Sequence, residues 1–196
     1  MCIPNLVSNS AQIVQYRTSA NSIIFSVKFA VAGGIGCLAG TIVLASTETN
    51  FIQFLVGTST LGYVLVRLLK PKNQMSSSLT RFLTPLIGLL GGLVQGSCGI
   101  SAPVALSFLN ALNLKRESFI FSISCFFFSM ALVQILTVHL LGLLTITIIF
   151  LGILSIIPQI AFMPVVNYLI KKFLAQTFDK LILLFLIILS VKILSE

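Results

Sequence analysis

A chain of 196 residues that is 57% hydrophobic and only 8% charged, with a mean hydropathy of +1.12, carries more apolar surface than a soluble fold can hide, so its solvent is a lipid bilayer. Its 12 Lys and Arg against 4 Asp and Glu leave a net charge of +8, but the bases stand singly or in pairs at the ends of apolar runs, which excludes a nucleic-acid surface and makes them topology signals. The apolar runs are too long and too continuous for barrel strands of about ten residues, which leaves an all-α bundle whose backbone groups pair within each helix.

A membrane helix needs roughly 20 mainly apolar residues. Residues 1–21 are too polar for a full span and read as the tail of a helix; "MCIPNLVSNS" has neither the basic region nor the apolar core of a signal peptide. Two spans follow, Ile23 to Ala45 and Phe51 to Leu69. The loop from Lys70 to Thr80, "KPKNQMSSSLT", is the one polar, Ser-rich and Pro-containing linker. After it come Phe82 to Leu112, Phe119 to Leu141, Leu143 to Ile170 and a short run from Phe178 to Leu194 with Asp179, Lys180 and Lys192 at its ends. Six spans are expected, split two against four.

Counting each run as one crossing puts Arg17, Lys28, Arg67, Lys70, Lys72, Arg81 and Lys192 on one side and Lys115, Arg116, Lys171, Lys172 and Lys180 on the other. The excess places the Lys70 to Thr80 loop in the cytoplasm. All four acids, Glu48, Glu117, Asp179 and Glu196, fall at helix ends, so no carboxylate inside the bundle is available to neutralise a cation. His139, the single histidine, reads as a solvated helix-end residue. Cys2, Cys37, Cys98 and Cys125 share neither CxxC nor metal-ligand spacing, so reduced, lipid-buried thiols are expected, with no metal and no cofactor.

The segment "GGLVQGSCGISAPVAL", residues 91–106, departs from an ordinary span. Gly88, Gly92, Gly96, Gly99 and Pro103 recur at steps of four, four, three and four, on one helical face. Two readings stay open at this point. Small residues at this spacing let two membrane helices touch backbone to backbone. Alternatively, a run of about thirty residues with Pro103 inside it is a broken helix, interrupted between about Gly96 and Pro103, that aims backbone amides at an anion. In the second reading Gly96, Ser97, Cys98 and Gly99 supply amides, and Ser97 and Ser101 add hydroxyls.

Polar residues within the spans mark a path. Ser118, Ser122, Cys125 and Ser129 form a narrow stripe at steps of four, three and four, with Gln134 beyond it. Ser8, Gln12 and Gln15 are similarly spaced near the N-terminus, beside Asn9. Such serines can simply bond their own i−4 carbonyls. The amides of Asn9, Gln12, Gln95 and Gln134 each bring an NH2 pair that must be satisfied, and an oxyanion would satisfy it.

The stretch Gly88 to Phe119, "GLLGGLVQGSCGISAPVALSFLNALNLKRESF", resembles the second-repeat signature of the TauE/SafE (TSUP) sulfite-exporter-like family, a pattern of the form G-x-x-x-G-x-x-G-x-G-G-P followed by a short apolar helix, a basic turn and a new span. Gly92, Gly96, Gly99 and Pro103 stand at matching positions, while Ser101 and Ala102 replace a more usual glycine pair and leave the backbone less free there. "IPNLVSNSAQIVQ" resembles the end of the family's second helix, and the segment from Phe29 to Lys70 its third and fourth. Members carry about eight spans as two parallel four-helix repeats. The resemblance therefore implies a first repeat truncated at its N-terminus (residues 1–72), a linker (73–81) and a second repeat (82–196), with Met1 internal to a longer reading frame. A hydropathy echo between the runs from Phe51 and from Phe178 agrees with a duplication.

The implied function is transport, not catalysis: alternating access carries a small anion, such as sulfite, a sulfonate or a related sulfur-containing or organic anion, across the cell membrane in which this multi-pass chain sits. Asn9, Gln12, Gln95, Gly96, Ser97, Cys98, Gly99, Ser101, Ser122, Ser129 and Gln134 are the candidate binding residues. The anion and the lipid bilayer are the expected partners, a second copy of the chain is an open option, and nucleic acid is not a partner. The rivals are a non-transporting scaffold or inactive fragment, and an intramembrane thiol enzyme built on Cys98.

Overall fold

The computed structural model describes residues 2–17, 23–47, 58, 77–99 and 102–162. Six helices occupy them: α1 (Cys2–Tyr16), α2 (Ile23–Ser46), α3 (Ser77–Cys98), α4 (Ala102–Ala111), α5 (Arg116–Leu140) and α6 (Ile146–Leu154), with no strand among the described residues. The helical, apolar character read from the sequence holds. Of the expected spans, α2 and α5 are long and apolar enough to cross a membrane. The run from Leu143 begins as α6 and is helical to Phe162 apart from a turn at Ser155. The runs Phe51 to Leu69 and Phe178 to Leu194 lie outside the described residues, so the count of six does not rest on the structure.

Helix ends follow from backbone chemistry. Gly142, at φ 70°, closes α5: its N–H donates to His139 O (3.0 Å) and that of Leu143 to Val138 O (3.1 Å), the paired bonds of a Schellman cap. Thr145 then caps α6, its hydroxyl accepting from the Ile148 amide at 3.4 Å. Asn113, at φ 48°, ends the turn after α4, and asparagine is one of the few residues that take this left-handed conformation at low cost.

α2 and α3 form the most extensive contact, and α5 packs on α2 and α1. Their seam is built on missing side chains. A Cβ on Gly92 would overlap the Gly33 carbonyl, one on Gly96 the Cys37 carbonyl, and ones on Gly36 and Gly40 the carbonyls of Leu89 and Leu93. Between membrane helices there is little hydrophobic drive, because lipid is as apolar as leucine, so close van der Waals approach of this kind does the holding. The opposite side of α2 exposes Val31, Ile35, Leu38 and Ile42, spaced as one apolar stripe.

Phe126 of α5 fills the gap beside the seam. Its ring lies where side chains on Gly33 and Gly91 would be and stacks on Phe29 at 4.2 Å between centroids. Phe108 of α4 joins Phe29 at 5.6 Å, and Ala105, Leu109, Ile123 and Met130 complete the buried core.

These pairings fix the directions. Gly88 lies beside Phe29, Gly92 beside Gly33 and Gly96 beside Cys37, so α2 and α3 run parallel. Ser26 meets Ser122 and Cys37 meets Met130, so α5 is parallel to both. α1 runs the other way, since Cys2 meets Gln134 and Gln12 meets Ser124. α4 folds back along α3, with Val104 beside Gly91 and Phe108 beside Phe29.

The sequence reading of Phe82 to Leu112 as one crossing is corrected by this return. α3 ends at Cys98, and α4, about 15 Å long, brings the chain back, so α3 and α5 start at the same end of the bundle. Lys115 and Arg116 therefore join Arg17, Lys28 and Arg81, and all five Lys and Arg among the described residues cluster at one end. Among the described residues, the two-sided charge count of the single-crossing reading is replaced by a one-sided one.

Candidate functional site

The candidate residues fall in three places. The first is the interface of α5 with α2. Ser122 is buried, its hydroxyl 2.7 Å from Ser118 O and 2.8 Å from the Ser26 hydroxyl of α2. Ser129 is half-buried opposite Gly34, whose added Cβ would stand 2.8 Å from the Ser129 Oγ. The serine stripe thus faces a neighbouring helix. At Ser122 the hydrogen bond to the i−4 carbonyl is present, as expected for a hydroxyl that has no free partner in lipid.

The second place is the interface of α5 with α1, where two glutamines stand ten residues of α5 apart, about 15 Å along its axis. Gln12 Oε1 accepts from the Ser124 hydroxyl at 2.7 Å. Gln134 Oε1 accepts from the Cys2 thiol at 3.4 Å. In both the carbonyl end is engaged across the interface, and among the described residues the NH2 end has no hydrogen bond. No buried side-chain nitrogen or oxygen among these residues lacks a partner, so neither NH2 group is fully enclosed. Asn9 differs: it is buried and its Nδ2 donates to Asn5 O, one turn back, at 2.7 Å.

The third place is the break between α3 and α4. Gly99 takes φ 73° with open space around its α-carbon, and its N–H donates to Gln95 O at 2.8 Å. That single bond is a left-handed glycine cap. The helix is interrupted within the expected interval, but the expected amide cradle is not at its carboxyl side. Gly96, Ser97 and Cys98 lie in the last turn of α3, where N–H groups point back along the helix and carbonyls are the exposed ends. Gly96 is also buried in the seam against α2. Ser97 is buried and its hydroxyl donates to Leu93 O at 2.8 Å. After the break, the first turn of α4 carries backbone N–H groups at Ala102 and Val104 and none at Pro103. Gln95 is half-buried nearby in the chain. The Cys98 side chain and Ser101 lie outside the described residues.

Neutrality unites the three places. Every buried polar side chain among the described residues, Asn9, Ser26, Thr41, Thr84, Ser97, Ser118, Ser122, Ser124 and Thr137, is uncharged, and no cluster of three or more His, Cys, Asp or Glu that could hold a metal occurs among them. An interior of amide and hydroxyl dipoles suits a ligand that needs donors without a full countercharge.

Sequence reasoning overlooked Ser26, Ser124 and Cys2 as partners. Ser124 follows Ser122 by two positions, which is about 200° around a helix, so a search for one polar face discards it. Serine on both faces of one span was the available signal that α5 has helices on two sides.

A family model described as Sulfite exporter TauE/SafE matches residues 1–193. No curated protein and no solved structure matches the chain.

Proposed function

The chain belongs to the sulfite exporter TauE/SafE family of membrane transporters, and on that premise we propose that it moves a small sulfur-containing or organic anion, sulfite or a sulfonate, across the cell membrane by alternating access. The observation that carries the reading is the neutral interior: donors without buried charge inside the described bundle, with the Lys and Arg among the described residues at one end. Pre-oriented dipoles in a low-dielectric site favour an anion and need no lysine that would hold it too tightly to release.

Gln12 and Gln134 are the proposed stations on this path, with Gln95 and the first amides of α4 at the break beyond Gly99 as a third. Asn9, Ser122 and Ser129 are proposed to shape the walls. Residues 1–72 and 82–196, joined by 73–81, are the proposed repeats, and motion of one against the other would open the path to each side in turn.

The charged end faces the cytoplasm in this proposal, by the excess of bases there. In a cysteine-free background, Ser77→Cys should resist an impermeant thiol reagent added outside intact cells, and Gly142→Cys, at the opposite end of the bundle, should react with it. The reverse pattern would invert the orientation.

Transport is tested with the purified chain in liposomes loaded with radiolabelled sulfite. Saturable efflux, competed by methanesulfonate and absent from protein-free vesicles, is expected. No efflux of either anion, together with movement of a divalent metal cation, would sink the proposal.

A further inference from the structure

Five buried hydroxyls among the described residues turn back to their own helix, while that of Ser26 meets the Ser122 hydroxyl across the α2–α5 interface. Thr41 donates to Cys37 O (2.8 Å), Thr84 to Thr80 O (2.6 Å), Ser97 to Leu93 O (2.8 Å), Ser122 to Ser118 O (2.7 Å) and Thr137 to Val133 O (2.8 Å). Ser124 does not. It is 0% exposed, and its hydroxyl crosses from α5 to α1 to meet Gln12 Oε1 at 2.7 Å. The i−4 carbonyl is the default acceptor for a helical serine, so a serine that leaves it has its hydrogen directed elsewhere.

The partner has two nearly isosteric states. Turning the Gln12 amide over exchanges a carbonyl for an NH2 and reverses the dipole presented on its far side. In one state the residue offers two donors to a passing ligand, and in the other a pair of acceptor lone pairs. Ser124 discriminates between them because, among the described residues, the bond to Gln12 is its one hydrogen bond. With the amide reversed, NH2 would donate to the hydroxyl oxygen, and in its present rotamer the buried O–H would be left without an acceptor among the described residues. Leaving a buried donor unmade is more costly than the bond itself is worth.

Resting on the transport reading above, we propose that Ser124 is a positioning residue: it holds the Gln12 carbonyl inward, presents the NH2 pair to the path, and thereby sets this station for anions. Cys2 holds the Gln134 carbonyl in the same sense, through a thiol, which is a weaker donor. Gln12 is therefore the more firmly oriented of the two.

The test is a double-mutant cycle read as KM and maximal rate for sulfite efflux from liposomes. Ser124→Ala should raise KM about tenfold, the equivalent of losing one well-placed donor, and leave the maximal rate within about twofold. In a Gln12→Ala chain the same substitution should leave KM within about twofold, because the residue through which Ser124 acts is gone. Ser124→Cys, nearly isosteric but a weaker donor, should fall between native and alanine, and it keeps the cycle readable if the alanine variant folds poorly. An unchanged KM for Ser124→Ala, or an equal rise in both backgrounds, overturns the inference and leaves the transport reading standing. Absence of anion efflux from the native chain overturns both.

Discussion

Replacing Gly92 by leucine should leave no folded protein to purify, and even Gly92→Ala should lower the melting temperature in detergent by about 6–12 °C. A Cβ at this position would overlap the Gly33 carbonyl oxygen and stand 2.8 Å from both Gly33 C and Cys37 N. All three are backbone atoms of α2, so no rotamer change relieves the clash. The helices must separate, which would also loosen the contacts at Gly36, Gly40 and Gly96 and withdraw the surface on which Phe126 rests. Overpacking of a rigid core costs about 1–3 kcal/mol or more, and here the upper end applies, since close approach is what joins these helices in lipid. Gly152→Ala is the matched control. Its Cβ would come within 2.7 Å of Ile3 Cδ1, also too close, but that atom is the far end of a flexible side chain. It should cost less than about 1 kcal/mol, within reach of a rotamer adjustment. Equal melting temperatures for native and Gly92→Ala protein would show that the seam does not carry the fold.

The same glycines show what the sequence could and could not reveal. Steps of four from Gly88 to Gly96 placed them on one face, and the structure keeps them there. Periodicity gives a face without saying what it faces, so seam and cradle could not be separated until Gly33, Gly36 and Gly40 of α2 were seen opposite. The break near Gly99 was legible because glycine density and Pro103 both oppose a continuous helix. Its consequence was not. Hydropathy has no direction, and α4 is as apolar as the helix it folds back along, so the return looked like a continuation and Lys115 and Arg116 were assigned to the wrong end. The buried amides were legible by type, as groups that need partners. Ser124 was not, because its role depends on the angle at which α1 approaches α5, and no local pattern encodes that.

Gln12→Glu should reduce anion efflux at neutral pH by at least about a hundredfold, against about tenfold for Gln12→Ala. The substitution is nearly isosteric, and one carboxylate oxygen can still accept from Ser124 as Oε1 does now at 2.7 Å. What changes is the other end, where two donors become an acceptor carrying negative charge. At about 4–5 Å and an effective dielectric constant near 20, repulsion between that charge and a monovalent anion is about 3–4 kcal/mol, which exceeds the roughly 1 kcal/mol of a donor that is simply missing. Acid should reverse the effect. Its neutral form supplies an O–H donor in place of the lost NH2. Efflux by the glutamate variant should therefore rise as pH falls and that carboxyl takes up its proton, while the alanine variant stays flat. Methanesulfonate is the probe for this comparison, since its charge does not change over the range. Undiminished methanesulfonate efflux by Gln12→Glu at neutral pH would mean that no anion passes this residue, and the path would then have to lie along another face of α5.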